Sequence, residues 1–308
     1  MLTANKVYTY KGFGLYITSQ IQLPEMPLIN MDYYRKDLHI EVKELRMKCS
    51  KLSEVAPYFY FKESQVIFTV PNVAIYQIEN GNKIIVSPLN GVRENQVRLY
   101  LLGTCMGVLL LQRQILPLHG SAIEIDGKAY AIIGHSGAGK STLAAAFLER
   151  GYKLISDDVI PVSINNEGIP VVAPAYPQQK LWQESLDQFG MSSQGFHPII
   201  DRESKFAIPV HARFCSEKMP LAGVFELVKT EGVSIKMNSL LNLKRLQTLY
   251  MHTYRNFLIE PLGMLEWHFN LLAKISPKIT ILRLERSDSF FSVNELTSHI
   301  LSTLKNKE

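Results

Sequence analysis

Along the first ninety or so residues, apolar and polar positions alternate over short runs rich in β-branched and aromatic side chains. "KVYTYKGFGLYITS" and "DLHIEVKEL" are of this kind, and an alternating run is the signature of a half-buried strand. "VAIYQIENGNKIIVSPL" reads as a hairpin, with Asn80-Gly81 supplying the turn. The pattern then changes. "RENQVRLYLLGTCMGVLLLQR" is densely apolar and predicts a docked helix over about 93–114, ended by Pro117. "LHGSAIEIDGKAYAIIG" predicts a second hairpin turning at Asp126-Gly127. After it come the helix "STLAAAFLER", the strand "YKLISDDVIPVSI", the turn "NNEG" and the strand "IPVVAP".

Residues 174–220, with several prolines, read as loop-rich. "LAGVFELVKT" and "VSIKMN" look like a further strand pair, and "ITILRLER" is a strand. "NLKRLQTLYMHTY", "PLGMLEWHFNLLAKI" and "VNELTSHILSTLKNK" read as helices. Antiparallel hairpins around one strand–loop–helix unit do not make a doubly wound Rossmann sheet. The expected fold is α/β with α+β character: a mixed-sheet catalytic domain over 91–308 behind a smaller β-rich domain over 1–90.

Composition narrows the class. The 308 residues are 46% hydrophobic and 20% charged, the balance of a globular protein. No run of eighteen apolar residues suggests a membrane span, and the N-terminal stretch has no signal-peptide core. Three well-separated cysteines (Cys49, Cys105 and Cys215) suit a reducing cytoplasm and offer no metal spacing. The net charge of +5 comes from scattered residues, so no nucleic-acid stripe is expected.

The chemistry concentrates in "GHSGAGKST", residues 134–142. It fits G-x-x-x-x-G-K-[ST] and lies between a strand and a helix, the context a phosphate loop needs. Gly134, His135, Ser136, Gly137, Ala138 and Gly139 would curl their N–H groups around phosphate. Lys140 would neutralise the β- and γ-phosphates, and Ser141, followed by Thr142, would reach Mg²⁺. The implied ligands are ATP and Mg²⁺.

Asp157 and Asp158 follow Ser141 by sixteen and seventeen residues. A phosphate-loop enzyme needs a carboxylate near its metal at a neighbouring strand end. On a regular strand these two side chains would face opposite ways, one toward metal and one toward an acceptor hydroxyl. There is no "NKxD" to read guanine and no "LSGGQ" of a transporter ATPase. Small-molecule kinases, and nucleotide-binding regulators without turnover, remain alternatives at this point.

Taken together, "LHG" at 118–120, the loop, and "ERGYKLISDDVI" at 149–160 resemble the catalytic domain of HPr kinase/phosphorylase. The resemblance implies that His119 is the active-site histidine, Asp158 the proton acceptor in kinase action, and Asp157 a support for the metal. The family's "E-x-R-G-x-G" signature is missing; "PQQKLWQESLDQFG" stands in its region, with Glu184 as a substitute carboxylate. The whole chain is similar to HPr-kinase-like enzymes found with lasso-peptide biosynthesis genes, which carry a "YPxxKLW" segment, here "YPQQKLW" at 176–182. That resemblance implies transfer of phosphate to the C-terminal serine of a precursor peptide, and the wider family implies a homo-oligomer. Lys180, Arg202, Lys205 and Arg213 are candidate cations for phosphate or substrate, with Lys205 the first choice.

Overall fold

A computed structural model describes residues 6–30, 36–45, 58–199, 202–232, 234–287 and 292–306, with the side chains of Arg202 and Glu203 not described. The chain falls into two compact units: Met1–Pro117 with Tyr254–His268, and Leu118–Thr253 with Phe269–Glu308. The sequence had placed the divide near residue 90.

The first unit is built on seven strands: β1 (Tyr8–Gly12), β2 (Leu15–Ser19), β3 (Leu38–Val42), β4 (Phe59–Lys62), β5 (Gln65–Val70), β6 (Ala74–Glu79) and β7 (Lys83–Pro88). They lie in the order β1-β2-β3-β7-β6-β5-β4. The expected hairpin is β6–β7, with Glu79 opposite Lys83. Asn80 and Gly81 take positive φ of 54° and 62°, and the Asn82 N–H donates to the Glu79 carbonyl at 3.2 Å to close the turn. Alternation does its work here: Ala74, Tyr76 and Ile78 are buried while their neighbours are half-exposed.

The apolar helix is α1 (Glu94–Tyr100), a π-turn (Leu101–Cys105) and α2 (Met106–Gln112). It belongs to this first unit and not with the phosphate loop. Tyr76 Oη donates to the Val97 carbonyl at 3.1 Å, fixing α1 to β6. Gly103 and Gly107 leave room for the ring of Tyr254; a Cβ on Gly107 would lie 2.6 Å from it. Arg255 donates to Thr104 Oγ1 at 3.1 Å, so the excursion at 254–268 is anchored on the same helix.

The second unit carries β8 (Leu116–Ile125, entering from the first unit), β9 (Lys128–Ile133), α3 (Lys140–Glu149), β10 (Lys153–Ile164), β11 (Pro170–Val172), β12 (Gln178–Trp182), α4 (Gln183–Gln188), β13 (His197–Ile199), β14 (Arg202–Pro209), β15 (Met219–Thr230), β16 (Lys236–Ser239), α5 (Leu243–Met251), α6 (Leu265–Ile275, also begun in the first unit), β17 (Thr280–Ser287) and α7 (Val293–Lys305). Its main sheet runs β11-β10-β8-β9-β15-β17-β16, and β11 also pairs with β15. The expected hairpin β8–β9 is present, with Asp126 and Gly127 at positive φ.

Two readings are corrected. The segment 174–220 is not mostly loop: β12, β14 and β13 form a three-stranded sheet of their own. Pro177 precedes β12, Pro209 ends β14 and Pro198 sits at the irregular edge pairing, where a missing N–H is tolerated. The strand "VSIKMN" does not pair with "LAGVFELVKT"; β16 pairs antiparallel with β17, and β17 runs parallel to β15. Thus β9, β15 and β17 form a parallel trio inside a mixed sheet. The fold is mixed α/β, with a phosphate-loop core and a β-rich N-terminal part.

Candidate active site

Ligands of parallel sheets gather at the carboxyl ends of the strands. β9 ends at Ile133 and delivers the chain into the loop at Gly134. Gly134, Gly137 and Gly139 have φ of 150°, 80° and 101°. At Gly134 a Cβ would also lie 2.5 Å from the Leu227 carbonyl oxygen, so glycine is demanded by angle and by space. The loop turns directly into α3, whose first N–H groups face the loop. Buried Leu143, Ala144 and Phe147 hold α3 on the core of this unit.

Lys140 is only 9% exposed. Its Nζ donates to the carbonyls of Gly134 and His135, at 2.9 and 3.0 Å, holding the loop closed on itself. Burial lowers its pKa, Asp157 and Asp158 oppose this, and Lys205 adds to the lowering. Arg286 at the end of β17 donates through Nε to the Ala138 carbonyl at 2.9 Å and braces the loop from the other limb. Thr142 Oγ1 lies 2.8 Å from Ser185 Oγ of α4. Ser136 and Gly137 are exposed at the tip.

The acidic pair does not divide by strand pleat. Asp158 has φ of 76°, in the left-handed region, where an ordinary strand residue does not sit. Ser156 Oγ donates to the Val159 carbonyl across this kink. The kink breaks the alternation, and Lys180 of β12 reaches both acids: its backbone N–H donates to Asp157 Oδ2 at 2.8 Å, and its Nζ to Asp158 Oδ2 at 2.7 Å.

The two carboxylates nevertheless differ in company. Asp157, 4% exposed, accepts from neutral groups: Ser121 Oγ at 2.6 Å and Ser141 Oγ at 3.1 Å on Oδ1, and the Lys180 amide on Oδ2. Asp158 lies among cations. Burial would raise its pKa, but the ammonium groups of Lys180 and Lys205 overcome that and hold the carboxyl well below the usual range. His119 Nδ1 stands 3.0 Å from the Asp158 carbonyl oxygen and 3.5 Å from its Oδ1. A carbonyl only accepts, so Nδ1 carries the proton and Nε2 is the basic nitrogen of the neutral ring. Burial lowers the His119 pKa, Asp158 opposes, and the neutral ring is favoured.

Among the candidate cations, Lys180 is in the site. Lys205, opposite Trp182 in the β12–β14 ladder, stands over its indole at 5.4 Å from the centroid and is felt at both Asp158 and Lys140. Arg213 is elsewhere. It pairs with Glu149, the last residue of α3, about 13 Å along the helix from Lys140. Arg202 begins β14, but its side chain lies outside the described residues. Glu184 is exposed at the start of α4.

The sequence reading missed Ser121, Gln179, Ser185 and Arg286. Gln179 is 2% exposed and its Nε2 donates to the Ser141 carbonyl at 2.8 Å, tying β12 to the first turn of α3. Its signal was a polar residue at an inward position of an otherwise apolar-inward strand. Nothing local in the sequence flags Ser121 or Arg286, since their partners lie 36 and 148 residues away.

Mg²⁺ in phosphate-loop sites takes one or two carboxylates, and nucleotide phosphates and water fill the other positions. Asp157 beside Ser141 is such a donor set. Among the described residues no three His, Cys, Asp or Glu side chains gather to hold a metal by themselves.

Residues 112–180, which contain His119, the loop, both aspartates and Lys180, match the family described as HPr Serine kinase C-terminal domain. This part of the chain is HPr kinase/phosphorylase-like. The HPr kinase/phosphorylase of Prosthecochloris aestuarii is 33% identical over 116 residues, 38% of this chain and 30% of that protein. That of Bacillus licheniformis is 28% identical over 153 residues, 49% of this chain and 44% of the relative. That of Nitrosomonas europaea is 24% identical over 165 residues, 50% of this chain and 51% of the relative. The matches therefore span about half or less of these relatives' length. The structure of the Hpr(Ser) kinase/phosphatase from Coxiella burnetii aligns with 62% of this chain and 97% of its own, at 15% identity and a TM-score of 0.36. Among the described residues no helix is long and apolar enough to cross a membrane.

Proposed function

We propose that this chain is an ATP-dependent serine kinase, moving the γ-phosphoryl group of ATP to a serine hydroxyl of a peptide or protein. The observation that carries the reading is the unlike company of the two adjacent aspartates: Asp157 joined to the loop through Ser141, Asp158 set among His119 and Lys180. In this reading one carboxylate serves the donor and its metal, the other the acceptor.

The roles follow. Lys140 leaves the loop carbonyls to neutralise the β- and γ-phosphates. Asp157 and Ser141 would hold Mg²⁺, which when bound supplies charge neutralisation on the phosphates. The serine Oγ bonds to the γ-phosphorus as the bond from that phosphorus to the bridging β–γ oxygen breaks; ADP departs with that oxygen. The hydroxyl proton passes to Asp158. A carboxylate held at low pKa is a weak base in the resting site, but the transition state of phosphoryl transfer is loose. The hydroxyl needs orientation early and loses its proton late, when its acidity has risen. Lys180 and Lys205 are placed to stabilise charge on the transferring group. His119, neutral with Nε2 basic, orients the acceptor side.

The acceptor in this reading is the C-terminal serine of a lasso-peptide precursor, supported by "YPQQKLW", whose Lys180 is the residue that binds both aspartates. The test is incubation with ATP, Mg²⁺ and a serine-ended precursor peptide, followed by mass spectrometry. The expected result is a peptide heavier by one phosphoryl group, about 80 Da. ADP release with no peptide modification would sink the peptide acceptor and favour a small-molecule hydroxyl. Bound nucleotide with no ADP would sink the kinase reading.

A further inference from the structure

Behind the loop lies a chain of side chains that phosphoryl transfer does not use. Glu226 of β15, opposite Ile133 in the ladder to β9, is 6% exposed. Its Oε2 accepts from Arg283 Nε of β17 at 2.8 Å, and its Oε1 lies 3.2 Å from His252 Nε2. Burial would raise the Glu226 pKa; His252 and Arg283 hold it below the ordinary value, so the carboxylate stays charged. His252, 4% exposed, turns its ring edge-to-face onto the loop residue His135, centroids 5.2 Å apart. The backbone carbonyl of the same residue accepts the His119 N–H at 2.8 Å.

One residue therefore touches the donor loop through its ring and the acceptor-side histidine through its backbone. We propose that His252, anchored by Glu226 and Arg283, is a positioning residue that couples nucleotide occupancy of the loop to the placement of His119. The inference rests on the phosphate-loop reading above. When phosphate arrives, Lys140 must give up the Gly134 and His135 carbonyls that it holds in this structure. The limb at 134–135 then loses that tie and keeps its contact with the His252 ring. A shift of His135 presses on a ring whose other side is fixed to a buried carboxylate. His135 itself is exposed, but the His252 ring it meets is 4% exposed, and a close-packed interior transmits such a shift instead of absorbing it. The His252 backbone carries it to His119, and His119 to Asp158.

The experiment reads both ends at once. Binding of a fluorescent ADP analogue with Mg²⁺ reports the loop. The ring resonances of His119, assigned by comparison with His119→Asn, report the acceptor side by NMR. In the wild type, MgADP should move the His119 resonances. In His252→Ala, nucleotide should bind about tenfold more weakly and the His119 response should fall below half. Glu226→Gln keeps the shape of the anchor and one of its two acceptor oxygens and should retain part of the response, whereas Glu226→Ala should lose it. Thermal melts identify variants that do not fold, and if His252→Ala is one, the Glu226 pair carries the test. A folded His252→Ala or Glu226→Ala protein with the wild-type response would overturn the coupling. Wild type that binds MgADP without moving His119 would overturn it too, leaving the loop reading intact. Wild type that binds no MgADP would overturn both.

Discussion

The first unit and the second differ in what they bury. The seven-stranded sheet hides apolar and aromatic side chains, with Phe59, Phe68 and Tyr76 stacked at centroid distances of 5.0 and 4.9 Å, and its buried polar groups are small or neutral, such as Thr18, Ser19 and Thr104. The second unit buries Lys140, Asp157, Glu226 and His252 as well. Burying a charge is costly unless it is paired and hydrogen-bonded. Every one of those four has partners within 3.2 Å. The first interior rests on apolar packing, whereas the second builds hydrogen bonds around its buried charges.

That contrast can be broken by mutation. Asp158→Asn should cut phosphoryl transfer by about 10²- to 10⁴-fold and keep ATP binding, since it removes the proposed proton acceptor and not the loop. Single-turnover transfer alongside nucleotide titration checks this, and near wild-type transfer would refute the assignment. Lys140→Ala should weaken nucleotide binding by about 10²-fold, because the phosphates lose a charge-assisted donor. Unchanged affinity by calorimetry would refute the loop lysine. On the other side of the comparison, Ile78→Ala removes a fully buried side chain of β6. It should cost about 2–5 kcal/mol of stability in denaturant melts, yet leave nucleotide affinity as it is. A large loss of affinity would show that the two regions do not separate as their interiors suggest.

The acid side of the stability curve sharpens the point further. The folded pKa of Asp158 lies below its unfolded value, so its contribution is present above about pH 4 and is lost as pH falls toward the folded value. The stability difference between wild type and Asp158→Asn should therefore shrink when melts at pH 7 are repeated at pH 3. The smallest effect belongs to Arg213→Ala. Its ion pair with Glu149 is solvent-exposed, and such pairs contribute about 1 kcal/mol or less. Transfer should be unchanged, and a tenfold loss would place Arg213 back among the functional cations.

Much of the site was legible because its chemistry is local. Gly134 to Ser141 is one contiguous stretch, and the glycines are required by backbone angles that hold wherever such a loop occurs. The hairpin turns at Asn80-Gly81 and Asp126-Gly127 were legible for the same reason. The strands of 174–220 were not, because prolines and short runs speak for loops until a neighbouring strand supplies the pairing. The helix at 94–112 was read as part of the 91–308 domain, whereas it groups with the first unit. An apolar face announces burial and does not name the surface that buries it.

By itself the sequence determined a phosphate loop between a strand and a helix, with two aspartates following at short range. These depend on spacing along the chain and on angles that each residue type allows. Tertiary structure decided what surrounds the two acids. The left-handed turn at Asp158 sets aside the strand alternation, Lys180 binds both carboxylates from another sheet, and Glu226, His252 and Arg283 meet behind the loop from distant segments. Such contacts join residues 22 to 57 positions apart, and only packing brings them within hydrogen-bond reach.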